Sequence, residues 1–159
     1  MLLKNPAINL PYLIDGDNVI AESTAIIIYI CHKANRLDLL GRDAKEQVWL
    51  ATVFGIANDF LPQLSDLAYE PDCNNSWEES LKTFSEKSSS YLKKFSEILG
   101  EKDYFCGKIT WIDFVLAETF QVLMLMNPLF LDSFTNLKGL QKRIWGLNEL
   151  SGYFSLRWI

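Results

Sequence analysis

Two neighbouring stretches near the start of the chain could together hold a small ligand. Residues 12–14 form a short apolar run after a proline, which indicates a strand with a free backbone edge beside residues 9–11. Glu22 and Ser23 open an apolar segment typical of a helix, and the N–H groups at a helix start attract anions. The strand edge and the helix start therefore offer hydrogen bonds to an extended ligand that carries a carboxylate.

Both features also have ordinary structural explanations. Proline is tolerated on any edge strand, so Pro11 alone does not define a binding corner. Ser23 and Thr24 have side chains that can accept the unpaired N–H groups of a first helical turn, which makes them ordinary capping candidates. The residues by themselves leave ligand binding and plain folding open as alternatives.

The other reactive side chains exclude several kinds of site. His32 is the single histidine, so a histidine-based zinc site or a Ser-His-Asp triad would depend on it alone. Its place beside Lys33 near a predicted helix end is typical of a surface residue favoured by the helix dipole. Cys31, Cys73 and Cys106 form no CxxC pair, which indicates free thiols in a reducing cytosol and no metal site.

Charge and hydropathy exclude further classes of protein. The chain has a formal net charge of -5 and no cluster of lysine and arginine, which argues against a nucleic-acid partner. Its 49% apolar content argues against disorder. The longest apolar run, at residues 122–126, is far too short to span a membrane, and residues 1–13 show no signal peptide. We therefore predict a cytoplasmic, mainly α-helical globular protein.

The first part of the chain is predicted to be a hairpin followed by a helix. Asp15-Gly16 is a turn signal between two short strands in residues 12–20, since glycine adopts positive φ at no steric cost. The helix is predicted over residues 23 to about 34. Residues 1–8, which contain a proline, are predicted to be extended or loose.

The rest of the chain is predicted to be all-helical. Residues 35–41 have helix-stop and helix-start signals at either end, which indicate a linker. We therefore predict a first domain at residues 1–35 and a second at residues 43–159. The helices of the second domain follow from apolar spacing and from helix-ending prolines and glycines, at about residues 44–69, 76–99, 110–127, 134–147 and 149–153, before a tail at residues 154–159.

Two of these helices carry residues that recur at helical spacing. Pro62 is expected to kink the first helix or end its first part, and residues 69–72 to follow as a turn. In the first helix the residues close to helical spacing are Val48, Trp49, Thr52, Ile56 and Phe60, and they indicate the helix itself. The second has a stripe of Trp77, Leu81, Phe84, Ser88, Tyr91, Phe95 and Ile98, which indicates core packing.

Thr110 and Asp113 stand at the N-cap and N3 positions of the third helix of this domain. At this spacing each side chain can accept the backbone N–H of the other, which forms a capping box. Beyond Asp113 the helix is apolar on nearly every face, from Val115 to Leu125, as expected of a helix at the centre of a domain. The pair is therefore predicted to support the fold and not to take part in chemistry.

Residues 9–16, of sequence NLPYLIDG, and the following Glu22-Ser23 resemble the glutathione-binding half of a cytosolic glutathione transferase of the mu/sigma type. The resemblance implies a partial thioredoxin-like first domain, whose opening strand, helix and second strand would lie upstream of Met1, and an all-α second domain. Residues 105–113 and residues 134–137 resemble two fold motifs of that second domain, its capped buried helix and its FPNL element.

The resemblance also assigns roles to particular residues. It implies a cis peptide bond before Pro11 and a backbone contact from Leu10 to the cysteinyl part of glutathione, with Asn9 beside them. Glu22 and Ser23 would hold the γ-glutamyl end at the helix start. The carboxylate contact would be that of Ser23, because a glutamate repels a carboxylate unless it faces the ligand's ammonium group.

Two residues of the helical domain are assigned in the same way. Asp59 resembles the acidic residue that reaches the γ-glutamyl ammonium across a dimer interface, which implies a homodimer; the alternative is a solvated charge. Tyr69 matches a tyrosine at the mouth of the pocket for a small hydrophobic electrophile; the alternative is a turn aromatic. Glutathione would be the co-substrate, with no separate cofactor. The family's catalytic tyrosine or serine would lie upstream of Met1, so no catalytic residue is predicted.

Three functions remain open at this point. The first is a transferase-like protein that binds glutathione and conjugates it to small electrophiles in detoxification, with its catalytic hydroxyl supplied by upstream residues. The second is a non-enzymatic ligand-binding or protein-interaction scaffold derived from a glutathione transferase. The third is a truncated gene product without a function of its own. All three functions are consistent with every residue of the sequence, so the sequence alone does not distinguish among them.

Overall fold

The computed structural model describes residues 9–69 and 76–156 of the chain. Within these ranges two strands are followed by six α-helices. Their bounds are β1 Tyr12–Asp15, β2 Asn18–Ala21, α1 Ser23–Lys33, α2 Ala44–Tyr69, α3 Trp77–Leu99, α4 Trp111–Met126, α5 Thr135–Trp145 and α6 Ser151–Leu156. The segment at residues 1–8 and most of the predicted turn at residues 69–72 lie outside the described residues.

The chain divides into two compact units, Met1–Gln47 and Val48–Ile159. The first holds the two strands and α1, and the core of the second is built from helices. This arrangement confirms the predicted fold class, in which a partial thioredoxin-like ββα part precedes an all-α domain. The domain bounds at residues 1–35 and 43–159 stay a prediction.

The hairpin has an antiparallel register that follows from its two-residue turn. Tyr12 pairs with Ala21 and Asp15 with Asn18, so Gly16 and Asp17 make the turn, and Gly16 has a φ of 58°. Side chains alternate between the two faces of a strand. In β1, Leu13 and Asp15 are half-buried on the face that meets α1, and the two residues between and before them are exposed.

The helix α1 is rich in isoleucine but buries little of it. Among the described residues of the first unit, the buried apolar side chains are those of Ala21 and Cys31. Ile28 and Ile30 are exposed on the same helix, although isoleucine is among the residues most often fully buried in folded proteins. The described part of the first unit therefore leaves a large share of its apolar surface open.

The second unit has a closed core that centres on aromatic rings. The ring of Phe60 on α2 lies 5.5 Å from that of Tyr91 and 6.3 Å from that of Phe95 on α3. Phe95 in turn meets Phe105 and Phe120 edge to face at 6.3 and 6.2 Å. Such offset and edge contacts add to the stabilisation that burial alone gives.

The residues whose spacing predicted α2 do not all lie on its buried side. Val48, Trp49 and Thr52 are exposed, whereas Phe60 is buried and Ile56 half-buried. So many apolar residues occur in this helix that two overlapping stripes satisfy helical spacing, and the longer one packs into the core. The buried stripe is Leu50, Val53, Ala57, Phe60, Leu64 and Leu67.

The helix α2 runs through Pro62 and does not end there. Proline inside a helix removes a backbone bond and costs about 3 kcal/mol. Leu64 and Leu67, which follow it, are buried in the core, and their packing offsets this cost. Pro62 itself lies on the exposed side of the helix.

The remaining helices follow the predictions with local differences. In α3, Phe84, Ser88 and Phe95 are buried as predicted, while Trp77 at its start is exposed. In α4, Leu116, Phe120 and Leu123 are buried, as expected of a central helix, while Leu125 near its end is 55% exposed.

Two short segments were predicted as irregular and are ordered. A 3₁₀ turn, Leu37–Leu40, lies within the predicted linker. The helix α6 extends into the predicted tail, where the ring of Phe154 stacks on that of Trp145 with centroids 4.0 Å apart. This ring contact holds the last helical turn against the end of α5.

Candidate functional site

The backbone before β1 is open to solvent. The Leu10–Pro11 peptide bond is cis, as the resemblance implies, and Leu10 is 80% exposed. The side-chain oxygen of Asn9 accepts the N–H of Leu10 at 2.9 Å. The backbone of Leu10 is thus accessible to a ligand. Its N–H group is already hydrogen-bonded to the side-chain amide oxygen of Asn9.

The start of α1 has no side-chain cap. The N-cap residue is Glu22, and no side chain accepts the first N–H groups of the helix. The first helical bond runs from the N–H of Ile26 to the carbonyl of Glu22, so the N–H groups before it have no helical acceptor. The expectation that Ser23 or Thr24 caps this helix is therefore wrong, and the turn keeps its donors and its positive dipole end.

Glu22 has an unusual backbone conformation, with φ 72° and ψ 123°. The strand β2 ends at Ala21 and α1 begins at Ser23, so Glu22 alone turns the chain from strand to helix. A positive φ is uncommon for residues other than glycine and costs of order 1–3 kcal/mol. Such strain is concentrated at ligand-binding sites, where the surrounding structure maintains it.

The hairpin brings these two features together. Because Tyr12 of β1 pairs with Ala21 of β2, the residues just before β1 and just after β2 lie at the same end of the strand pair. Leu10 and Pro11 thus stand beside Glu22 and Ser23, all of them exposed. We call this group, with Asn9, the corner. It offers strand-edge backbone groups, helix N–H donors and one carboxylate to a small peptide.

The other predicted site residues lie in the second unit or at its end. Asp59 is exposed on α2, and its backbone carbonyl accepts a bond from the amide of Gln63 at 3.1 Å. Tyr69 is the last residue of α2, and its side chain lies outside the described residues. The roles given to Asp59 and Tyr69 by the resemblance stay predictions.

Thr110 and Asp113 form the predicted capping box at the start of α4, and both are buried. The Asp113 carboxylate accepts the N–H of Thr110 and its hydroxyl, each at 2.8 Å, and the N–H of Phe105 at 2.9 Å. Burial raises the pKa of Asp113, and the three hydrogen bonds oppose that shift. The pair ties the loop at Phe105 to α4 and has no accessible face for a ligand.

Sequence reasoning missed a polar cluster between β1 and α1. The hydroxyl of Tyr29 donates to the Asp15 carboxylate at 2.7 Å, and Lys33 forms an ion pair with the same carboxylate. The bonds from Lys33 and Tyr29 lower the pKa of Asp15, and the bond to Asp15 raises the pKa of Tyr29. Tyr29 and Lys33 are four residues apart on a helix, a spacing that could have indicated a shared partner.

The hydrogen bond that the Tyr29 hydroxyl makes decides whether this tyrosine can activate a thiol. A tyrosine that activates a thiol must give its hydrogen bond to the sulfur. The Tyr29 hydroxyl gives its bond to Asp15 and holds its proton more tightly than a free tyrosine does. Tyr29 is therefore a structural tyrosine that fixes α1 to the hairpin.

Two open cavities lie in the first unit. One, of about 370 Å³, is bordered by β1 and α1, and its lining includes Leu13, Ile14, Ile30 and Ala34. The other, of about 410 Å³, lies beside His32 and Arg42.

In the described part of the chain, no three His, Cys, Asp or Glu side chains are placed to hold a metal ion. Across the same residues, no helix combines the length and the hydropathy needed to cross a bilayer.

Comparison with protein families matches both parts of the chain. The family described as glutathione S-transferase, C-terminal domain, matches residues 58–157, and the one described as glutathione S-transferase, N-terminal domain, matches residues 1–38. The chain belongs to the glutathione S-transferase family. Members of this family use glutathione as a co-substrate without a separate cofactor.

Mammalian glutathione S-transferases are similar to this chain in sequence. A glutathione S-transferase of Mesocricetus auratus and glutathione S-transferase Mu 2 of Homo sapiens are each 38% identical over 146 residues. The match covers 91% of this chain and 64% of each relative. The chain thus spans less than two thirds of the length of these transferases.

Solved structures are similar in fold. The pi-class glutathione S-transferase of Onchocerca volvulus superposes with a TM-score of 0.78 at 25% identity, over 93% of this chain and 70% of that one. Rat hPGDS in complex with a quinoline superposes with a TM-score of 0.79 at 23% identity, over 92% and 72% of the two chains. The second likeness concerns the fold alone.

Proposed function

We propose that this chain binds glutathione at the corner. The observation that carries the proposal is the uncapped start of α1, where the strained residue Glu22 leaves N–H donors open beside the exposed backbone of Leu10. A helix start of this kind binds carboxylates because its N–H groups and its dipole both favour negative charge. A strand edge binds extended peptides through backbone hydrogen bonds.

Glutathione fits these groups in one orientation, with its γ-glutamyl end at the start of α1 and its cysteinyl part at Leu10. Its γ-glutamyl carboxylate would accept hydrogen bonds at the start of α1, including one from the Ser23 hydroxyl. Its γ-glutamyl ammonium would face the carboxylate of Glu22, which is exposed and adjacent. The cysteinyl backbone would then pair with Leu10, and its carbonyl would replace the Asn9 oxygen that accepts the Leu10 N–H in the free protein.

The reaction we propose is the attack of the glutathione thiolate on a small hydrophobic electrophile. A thiolate is the nucleophile, so a neighbouring group must lower the pKa of the thiol. Tyr29 does not serve this purpose, because its hydroxyl is bonded to Asp15. The activating hydroxyl is therefore not assigned to any residue here, and Tyr69 is proposed at the mouth of the electrophile pocket.

A homodimer is the proposed assembly. One side of α2 is exposed along several turns, from Val48 through Thr52 and Gly55 to Asp59. A Cβ added at Gly55 would meet no atom within 4 Å, so this face is flat enough for a second helix to approach closely. Asp59 on this face would reach the γ-glutamyl ammonium bound by the partner chain.

A cytoplasmic role in detoxification agrees with the thiols of the chain. Cys31 and Cys106, the two cysteines within the described residues, form no disulfide. Cysteines outside disulfides are usual in proteins of a reducing compartment.

Two measurements on the full chain test the proposal. Glutathione should be retained by the protein in equilibrium dialysis, and the protein should raise the rate of glutathione conjugation to chlorodinitrobenzene above the blank rate. Absence of binding would overturn the proposed site, whereas binding with a blank rate would overturn only the proposed reaction.

A non-enzymatic scaffold is the second candidate function. It is favoured by the Tyr29–Asp15 bond, which engages the hydroxyl of the one tyrosine on α1. A scaffold would bind glutathione or an apolar ligand without turnover. Saturable binding of an apolar dye, together with a blank conjugation rate, would favour it.

A further inference from the structure

Side-chain contacts hold α1 to the hairpin at the end opposite the corner. The helix begins at Ser23, directly after Glu22, and runs for 11 residues to Lys33. Two turns into the helix, the hydroxyl of Tyr29 donates to the carboxylate of Asp15, the last residue of β1. The helix is therefore connected to the hairpin twice, by the backbone at its start and by side chains further along.

The bond between Tyr29 and Asp15 fixes a direction that apolar packing leaves free. Apolar burial is non-directional, so a helix packed on a hairpin only by apolar contacts can tilt and slide. A hydrogen bond weakens steeply as its angle departs from linearity. Because the acceptor is a carboxylate, this bond is also stronger than one between neutral groups. It ties the orientation of α1 to that of β1.

The orientation of α1 decides where the donors at its start point. The distance along the axis from Ser23 to Tyr29 is about 9 Å, at about 1.5 Å per residue. Over this length a displacement of about 2 Å at Tyr29 tilts the helix by about 12°, and the groups of a binding site must be held to within about 10–20°. The bond at Tyr29 therefore controls the aim of donors that lie at the other end of the rod.

We propose that Tyr29 is a positioning residue for the glutathione site. Through its bond to Asp15 it directs the N–H groups and the Ser23 hydroxyl at the start of α1 toward the γ-glutamyl carboxylate of the ligand. Tyr29 makes no contact with the ligand itself. This inference rests on the proposed function, because it needs glutathione at the corner, and it extends the site along α1 to a residue outside the corner.

Calorimetric titration of the full chain with glutathione measures the effect of the hydroxyl. Tyr29→Phe keeps the ring and should weaken binding about three- to tenfold, a part of what a bond to a charged group contributes. The matched control is Tyr91→Phe, a tyrosine packed on the core of the second unit, which should bind as the wild type does. Saturable binding with equal affinity of the wild type and Tyr29→Phe would overturn this inference alone. Absence of saturable binding by the wild type would overturn the proposed function together with it.

The acceptor provides a second test that leaves the tyrosine unchanged. Asp15→Asn keeps a side-chain oxygen that can accept the Tyr29 bond, whereas Asp15→Ala removes it. Glutathione affinity should therefore fall further in Asp15→Ala than in Asp15→Asn. Equal losses in the two variants would show that the bond from Tyr29 has no part in binding, which would overturn the proposal.

A double-mutant cycle separates positioning from damage to the fold. In the Ser23→Ala background Tyr29→Phe should cost less affinity than in the wild type, because one of the donors that it directs is gone. Losses that simply multiply would contradict an action through the start of α1. Hydrogen exchange should show the α1 amides of Tyr29→Phe still protected. If their protection falls by as much as the affinity does, the loss is one of folding and the proposal is overturned.

Discussion

The hydroxyl of Tyr29 donates a 2.7 Å hydrogen bond to the carboxylate of Asp15, which joins α1 to the end of β1. Lys33, one helical turn further on, forms an ion pair with the same carboxylate. These contacts fix the helix against the hairpin. The corner is formed by the residues just before β1 and those at the start of α1. The cluster therefore positions the proposed ligand site, although none of its three residues belongs to the corner.

The first prediction concerns the titration of Tyr29. The bond to Asp15 raises the pKa of Tyr29, so this tyrosine should ionise at higher pH than a free one. Because the folded pKa lies above the unfolded one, the contribution to stability is complete below the unfolded value, about 10. It is lost as the pH rises through the folded value. NMR of the ring carbon next to the hydroxyl follows the titration directly.

Asp15→Asn is the control for this assignment. It removes the negative charge and should move the Tyr29 titration back toward its ordinary value. A Tyr29 titration that is the same in both proteins would show that the Asp15 contact has no energetic effect.

The second prediction concerns the capping box of α4. Asp113→Ala leaves the N–H groups of Thr110 and Phe105 buried without an acceptor, at a cost of about 1–3 kcal/mol for each group. Thr110→Ala removes only a hydroxyl and should cost about 1 kcal/mol. Urea unfolding should therefore show a clearly larger loss for Asp113→Ala. Ser90→Ala, at an exposed site of α3, is the control and should change the free energy of unfolding by less than either.

The third prediction concerns the strain at Glu22. Glycine adopts positive φ readily, so Glu22→Gly should relieve strain and stabilise the first unit by about 1 kcal/mol. Glu22→Ala removes the same carboxylate and keeps the Cβ, so it should give no such gain. Hydrogen exchange of the α1 amides measures this stability. Equal exchange in the two variants would mean that the backbone at Glu22 is not strained in solution.

The place of the corner in the chain could be predicted from the sequence, whereas its uncapped helix start and the contacts between distant residues could not. Pro11 and Glu22-Ser23 lie within short motifs whose turn and helix start follow from neighbouring residues. Asp15 and Tyr29 are fourteen positions apart, and only the folded hairpin shows that α1 crosses the end of β1.

Helix periodicity predicted the existence of α2 but not its orientation. Val48 and Leu50 lie on different sides of the helix, and both belong to stripes with helical spacing. The surfaces of α3 and α4 decide which stripe is buried, and the α2 sequence contains no information about those surfaces.

The fourth prediction concerns the domain boundary. The buried core of the second unit extends from Leu50 to Ile144, and each of its buried residues that the structure describes belongs to that unit. A fragment of residues 43–159 should therefore keep its helical circular dichroism and unfold cooperatively. Loss of the cooperative transition in the fragment would show that the first unit stabilises the second.

The measurement that tests the central proposal most directly is calorimetric titration of the full chain with glutathione. We expect binding at one site per chain, weakened at least about tenfold by Ser23→Ala, because a hydrogen bond to a charged group contributes about 1.5–3 kcal/mol and about 1.4 kcal/mol corresponds to a factor of ten. Ser151→Ala, at the first residue of α6, is the matched control and should bind as the wild type does. No saturable heat with the wild type, or equal affinity of the wild type and Ser23→Ala, would contradict glutathione binding at this corner.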